Sequence, residues 1–391
     1  MNKWVIKHVK DIADVTMGQS PQSEFYNNDG TGLPFLQGNR TFGVKYPIFD
    51  TFTTAPNKIA EVNDVIMSVR APVGDLNITP VKMCLGRGVC ALKPKNGNYQ
   101  FLYYLLSCSV PIILSRSNGT VYDSINRADI EKMRINIPET DEIQIRIADI
   151  LSAYDDAIEN NNRRIALLEK AARELYREWF VRFRFPGHES ARFVNGLPEG
   201  WAVKRLGVYG KIKTGKTPPT ENKENYGNEI MFVKTPDMHG DIYVIATGEY
   251  ISKKGHLTQP KKLLPANSIM VSCIGTGGVV ALNAEQAHTN QQINSIIPDD
   301  KRYMEWLFFT CQSLKETIEL FGGTGTTMTN LSKGKFERLK VIEPPQTLIE
   351  TFHDKIKDSF IMIKKLMKQS QNLARQRDLL LLRLMSGKLE V

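Results

Sequence analysis

Residues Gly210 to Thr217, within the stretch VYGKIKTGKTPPT, have the spacing G-x-x-x-x-G-K-T. In that pattern a glycine-rich loop cradles phosphates and a lysine neutralises them, so the spacing raises nucleotide binding and hydrolysis as one chemistry. A working loop of this kind needs a strand before Gly210 and a helix starting at Lys216. Pro218 and Pro219 follow at once and disfavour helical backbone in the residue before each of them. Two other glycine-rich segments, Cys273–Val280 and Phe321–Thr329, lack G-x-G-x-x-G spacing and suit tight turns or close backbone approach to a nucleic acid.

Other catalytic constellations are weak. His8, His188, His239, His256, His288 and His353 show no HExxH or paired metal spacing, and no serine stands in a GxSxG elbow. Cys84, Cys90, Cys108, Cys273 and Cys311 are scattered and odd in number, which argues against a disulfide framework or a zinc knuckle. We read them as reduced, buried small apolar residues, and expect no metal site.

Charge points elsewhere. Lys plus Arg number 51 against 42 for Asp plus Glu, a net charge of +9 that favours a polyanionic partner. Residues with the chemistry to meet DNA follow from that: Arg and Lys for phosphates and guanine, Asn and Gln for adenine edges. In the first part of the chain these are Gln37, Asn39, Arg40, Lys45, Arg70, Arg87 and Arg116. In the second part they are Lys234, His239, Lys253, Lys254, Lys261, Lys262, Asn290, Gln291 and Gln292. The run Asn290–Gln292 stands out, because three adjacent amides seldom serve a core.

The elements that must position these residues are duplicated. Trp4, Val9, Val15, Gly18, Ser20, Pro21 and Phe35 recur as Trp201, Leu206, Ile212, Gly215, Thr217, Pro218 and Phe232 at one constant offset. Ser68, Gly74 and Pro94 recur as Ser272, Gly278 and Pro298 at a slightly larger one. Gly119, Ile125, Glu131, Ile135, Pro138, Ile143, Ile150 and Tyr154 recur as Gly325, Leu331, Glu337, Val341, Pro344, Ile349, Ile356 and Phe360. The offset grows by small steps of the kind loops absorb, so the halves are a divergent duplication. The repeat partner of the phosphate-loop lookalike is Met17–Pro21, which keeps the glycine, the hydroxyl and the proline but has Gln19 where Lys216 stands. What the copies share is G-x-[ST]-P, a turn.

Each copy opens with short β-type runs broken by Gly, Pro and Asn, and then shows helical periods around Phe101 and Tyr303, which predicts a mixed α/β domain. Each copy then ends in a long helix. Asp141 with Gln144, and Thr347 with Glu350, have the pattern of capping boxes. The first seam runs through Ile143, Ile147, Ile150, Tyr154, Ile158, Ile165, Leu168, Ala172, Leu175 and Trp179, is interrupted at Asn161, and stops at Pro186-Gly187. The second runs through Ile349, Phe352, Ile356, Phe360, Ile363, Met367, Leu373, Leu380 and Leu384 to Gly387. Helices of about 40 residues, roughly 60 Å, with narrow apolar stripes need a partner, and each has the other. Phe180 and Phe183 lie beyond the seam and mark surface for other protein chains.

The expected fold class is therefore α+β: two homologous mixed α/β domains separated by two long antiparallel coiled-coil helices, related by a pseudo-two-fold internal repeat. The expected boundaries are 1–138 for the first domain, 139–185 for the first helix, 186–200 for a linker, 201–344 for the second domain and 345–391 for the second helix. MNKWVIKHVK has no apolar core of signal-peptide length and no run approaches a membrane span, which predicts a cytoplasmic protein.

With its Trp-led opening blocks, its G-x-[ST]-P turns, a proline before each long helix, GLPEGW at 196–201 and the ending LLLLRLMSGKLEV, the whole chain resembles the specificity subunit of type I restriction-modification systems. The resemblance implies two target-recognition domains that each read half of a bipartite, asymmetric site in double-stranded DNA. It also implies long helices that space the domains and dock two methyltransferase subunits, with restriction/translocase subunits joining. S-adenosylmethionine, ATP and magnesium would belong to those partners, and this chain would hold no cofactor and catalyse nothing. A P-loop NTPase and a coiled-coil structural adaptor without DNA binding are the alternatives.

Overall fold

The computed structural model describes residues 3–116, 124–322 and 329–391. Their contacts group into two compact units, Met1–Ile158 with Asn372–Val391, and Glu159–Gln371. Each long helix passes from one unit into the other.

In the first unit the chain enters as strand Trp4–His8 and leaves as Arg134–Pro138, and these pair antiparallel, Trp4 opposite Pro138. Between them lies a four-stranded sheet in the order Ala13–Met17, Val89–Pro94, Val65–Ser68, Leu76–Ile78. Val65 to Ser68 is a continuous buried run, as a strand covered on both faces must be. Helix Tyr99–Arg116 covers it, and Val65, Met67, Cys90, Leu92, Phe101, Leu102 and Leu105 share one core. A second sheet of short strands carries Leu33–Leu36 beside Met83–Leu85.

The second unit repeats this plan. Ala202–Arg205 pairs with Lys340–Glu343, and a five-stranded sheet runs Gly210–Thr214, Ile293–Pro298, Ile269–Ser272, Val280–Asn283, Tyr243–Val244. Register is kept as well as order: Pro94 lies opposite Ala13, and its repeat equivalent Pro298 lies opposite Gly210. The smaller sheet is reduced to three strands, with Tyr226–Val233 beside Ala287–Thr289.

The long helices are Asp141–Tyr176, continued by a π turn at Arg177–Val181, and Gln346–Met385. In the second unit Asn161 meets Gln369 and Ser370 while Tyr176 packs on Phe352, so the helices run antiparallel. Ile165, Ala172, Trp179 and Phe180 share its core with Ile349, Phe352, Ile356, Phe360, Ile363 and Met367, with Leu168 and Leu175 packed against it. In the first unit Ile147, Ala148 and Leu151 share a core with Leu384 and Met385, with Ile143 and Leu380 at its margin. Trp4 packs against Gly387 at the end of the second helix, and Trp201 against Phe180, Phe183 and Phe185 at the end of the first. The opening tryptophan of each domain is thus held by the helix that belongs to the other copy.

The seam needs correction in its first half. Ile150 is 37% exposed, and the buried stripe runs instead through Gln144, Ile147, Ala148, Leu151, Ser152 and Asp155. Polar residues occupy it because partners are built for them. Asp155 accepts from Arg377 at 2.5 Å and from the Tyr104 hydroxyl, and Gln144 donates to the Pro138 carbonyl at 3.0 Å. Tyr154, Ile158 and Leu373 are half-buried beside this stripe. The capping boxes are also absent. Asp141 and Thr347 are helical residues; the Asp141 carboxylate accepts from Asn96 at 2.9 Å, and Glu350 accepts from Gln346 at 2.8 Å.

Candidate nucleic-acid interface

The G-x-[ST]-P turn organises the same backbone frame in both domains. In the first, Gly18 N–H donates to Val89 O, Gln19 N–H to Leu85 O, Gly86 N–H to Leu36 O and Val69 N–H to Gly88 O, at 3.0, 2.9, 2.7 and 2.9 Å. In the second, Gly215 N–H donates to Ile293 O, Lys216 N–H to Thr289 O, Asn290 N–H to Val233 O and Cys273 N–H to Gln292 O, at 3.1, 2.9, 3.1 and 2.7 Å. Each bond has its counterpart at the equivalent residues. The turn glycine is required by close approach: a Cβ on Gly18 would collide with the Gly86 carbonyl, and one on Gly215 with the Asn290 carbonyl. The proline carbonyl is tied as well, Tyr26 OH to Pro21 O at 2.9 Å and Tyr226 OH to Pro218 O at 3.0 Å.

This frame removes the nucleotide-loop alternative. Gly210 begins a strand rather than a loop, no helix starts at Lys216, and the amides of Gly215 and Lys216 are engaged by protein carbonyls. Those two amides are therefore not free to cradle a phosphate chain. Within Cys273–Val280, Ile274–Gly275 is a short strand paired with Thr329–Asn330 and the chain turns after it, with Gly275 and Gly278 at positive φ. Most of Phe321–Thr329 lies outside the described residues, as do Gly119 and Gly325.

In the first domain the frame lines a cleft of about 400 Å³ that brings together Gln37, Asn39, Arg40, Arg70 and Arg87, floored by Tyr26 and Phe35. Arg40 pairs with Asp50 at 2.7 Å and Asn39 donates to Asp75 at 2.6 Å. The hydrogen bond from Arg40 holds the Asp50 carboxyl below its ordinary value. Gln37, Arg70 and Arg87 are exposed, and their side chains have no partner among the described residues. Lys45 is elsewhere: it is buried, with its ammonium 3.9 Å from Asp155 and 3.8 Å from Asp156, so it balances charge inside the unit instead of facing a ligand. The side chain of Arg116 lies outside the described residues.

In the second domain the frame gathers Lys234, Asn290, Gln291 and Gln292 with Thr217 and Thr235. Thr217 Oγ1 donates to Gln291 Oε1 at 2.7 Å. The amide run divides its labour. Asn290 is buried and donates to Gln292 Oε1 at 3.0 Å, so it buttresses its neighbour, while Gln291 is exposed. Lys234 is paired with Glu249, Lys254 with Glu224, and Lys262 donates to Thr214 O at 2.9 Å. Lys253 and Lys261 are exposed without side-chain partners among the described residues. His239 is exposed in a different hollow, with Glu169, Arg173 and Asp241.

Sequence reading missed the histidine pair behind this site, in which His288 is buried and His256 half-buried. His256 Nδ1 lies 3.0 Å from His288 Nε2, and Gln259 joins His288 to the Lys216 carbonyl. Burial, aided by His256 and Lys213, pushes His288 down to about 4 and keeps it neutral. Among the described residues no group of three or more His, Cys, Asp or Glu is placed to hold a metal ion, and no helix is long and apolar enough to cross a membrane.

The model of the type I restriction modification DNA specificity domain matches residues 1–170 and 198–372. The chain is 29% identical over 355 residues to the type I restriction enzyme HindI specificity subunit of Haemophilus influenzae, covering 74% of this chain and 77% of that one. It is 25% identical over 410 residues to the MjaIX specificity subunit of Methanocaldococcus jannaschii, covering 99% and 94%. The crystal structure of the S subunit of a type I restriction-modification system from M. genitalium superposes with a TM-score of 0.65 at 17% identity, covering 98% of this chain and 96% of that one.

Proposed function

The chain belongs to the type I restriction-modification DNA specificity family, and from that premise we propose that its two domains each read one half of a split, asymmetric site in double-stranded DNA. The observation that carries this reading is the frame: the same main-chain hydrogen bonds in both domains present different polar groups, Gln37, Arg70 and Arg87 in one, Lys234, Gln291 and Gln292 in the other. A duplicated scaffold with diverged tips suits two unlike half-sites. A palindromic site would need like ones.

In this proposal the chain recognises and does not catalyse. The long helices dock two methyltransferase subunits, and restriction/translocase subunits join that assembly. S-adenosylmethionine, ATP and magnesium act in those partners. Exposed apolar residues on the helices, among them Ile145, Leu167, Ile361 and Leu379, offer surface for such docking.

The test is a footprint of the full chain with its methyltransferase subunits on duplex DNA at several salt concentrations. Protection of two separated, unlike tracts, weakening with salt, is expected. A continuous, palindromic or absent footprint rules the reading out. Exchange of residues 1–138 for another such domain is expected to alter one tract and leave the other.

A further inference from the structure

We propose that one frame position sets a base in each half-site: Arg87 reads a guanine in the first domain and Gln291 reads an adenine in the second. This rests on the proposed reading of a split site. Arg87 and Gln291 are equivalent residues. Each follows the residue whose amide bonds the preceding strand, Gly86 to Leu36 O and Asn290 to Val233 O. Each is also addressed by the turn hydroxyl: Ser20 Oγ accepts the Arg87 backbone N–H at 3.2 Å, and Thr217 Oγ1 donates to Gln291 Oε1 at 2.7 Å.

Main chain held on both sides and a side chain left in solvent are the conditions for reading an edge at low entropic cost. Gly86 and Gly88 pack against the Gln37 backbone too closely to accept a side chain, so the Arg87 segment has little room to shift. Its guanidinium opens into the cleft without a partner among the described residues. The Gln291 amide is pre-set by Thr217, which leaves both N–H groups and one oxygen lone pair available.

The neighbouring positions do not qualify in both domains. The equivalent of Arg70 is Ile274, each bridged to the equivalent residue, Ser124 or Asn330, and isoleucine offers no hydrogen bond. The equivalent of Gln37 is Lys234, which is paired with Glu249. Of the frame positions compared, among the described residues, Arg87 and Gln291 alone give both domains an exposed, planar group able to make two parallel hydrogen bonds. The fork of Arg87 matches the two acceptors of guanine, O6 and N7, and would set donors against the adenine N6 amino group. The amide of Gln291 matches the donor and acceptor of adenine, and would set its oxygen against an acceptor of guanine.

Reciprocal exchange tests this. The full chain with its methyltransferase subunits is used to select from a randomised duplex library, as wild type, Arg87→Gln, Gln291→Arg and Arg87→Lys. Arg87→Gln is expected to change one G·C pair to A·T in one half-site, and Gln291→Arg one A·T pair to G·C in the other, each shifting preference roughly 10- to 100-fold. Arg87→Lys is expected to keep overall affinity and to weaken the guanine preference without switching it to adenine, since an ammonium still donates to O6 and N7 but without the rigid fork. Unchanged selected sequences with uniformly weaker binding would assign both residues to phosphates and overturn the proposal, as would a change in both half-sites. If the wild type selects no split site, the underlying reading fails first. Unaltered thermal unfolding of the variants confirms that these exposed substitutions leave the fold intact.

Discussion

Where the two long helices meet through polar groups, the two units use different chemistry. In the first, buried Asp155 is shared by Arg377, the Tyr104 hydroxyl and the more distant Lys45. In the second, buried Asn161 reaches Gln369 at 3.4 Å and Ser370 at 3.3 Å, a neutral contact of long geometry. The clefts diverge in the same way, arginine forks in one and buttressed amides in the other, on main-chain bonds that correspond one for one. Duplication conserved what is constrained from several sides at once. A buried amide must find its carbonyl whatever the side chains do, whereas a side chain with one changed partner can follow it.

The largest expected difference lies in the helix contacts. Asp155→Asn removes the buried carboxylate that Arg377 and Lys45 share. Because Arg377 keeps Asp378 at 2.7 Å and Lys45 keeps Asp156 at 3.8 Å, a loss of about 3 kcal/mol, the low end for a broken buried pair, is expected in the first unit. Asn161→Ala removes only long neutral hydrogen bonds, for about 1 kcal/mol in the second. Urea unfolding followed by probes in each unit measures both, and equal losses would contradict the contrast.

The turn glycines should erase the contrast. Gly18→Ala and Gly215→Ala force the same carbonyl collision, so each is expected to destabilise its own domain by about 1–3 kcal/mol and to weaken its own half-site. Footprinting each variant decides this; an effect on both half-sites from either one breaks the modular picture.

A smaller contrast appears in acid. The native His288 ring stays neutral down to about 4, whereas the unfolded chain takes up the proton near the ordinary value of 6.5. Unfolding therefore binds a proton within that window, and stability present above 6.5 is lost as pH falls toward 4, by about 2 kcal/mol at pH 5. The equivalent residue in the first unit is Cys84, whose thiol burial pushes up, away from this window. Thermal unfolding at pH 7 and pH 5 should show the acid loss in the second unit, and His288→Cys should abolish it.

Much of this was legible beforehand. The repeat pairs, the mixed domains and the long helices rest on periodicity and on matched residue types, which survive divergence. Ile150 shows where such reading failed. It continues an apolar period, yet the buried stripe passes through Gln144, Ser152 and Asp155, because polar residues are buried wherever the fold supplies partners, and those partners are distant in sequence. Lys45 was nominated for its charge and proved to be one of these partners. Arg87 and Gln291 were both nominated without being seen as one position, although the offset between Pro94 and Pro298 already equates them.

Local order in the chain was enough to specify two copies of one α/β domain, two long amphipathic helices whose apolar stripes need covering, and a G-x-[ST]-P turn that only imitates a phosphate loop. Folding in three dimensions selected which helix end holds which tryptophan, which of the cations and amides are buried or paired, and which single position each turn hydroxyl addresses. Those choices depend on donors and acceptors meeting across long sequence separations, and no local pattern records such meetings.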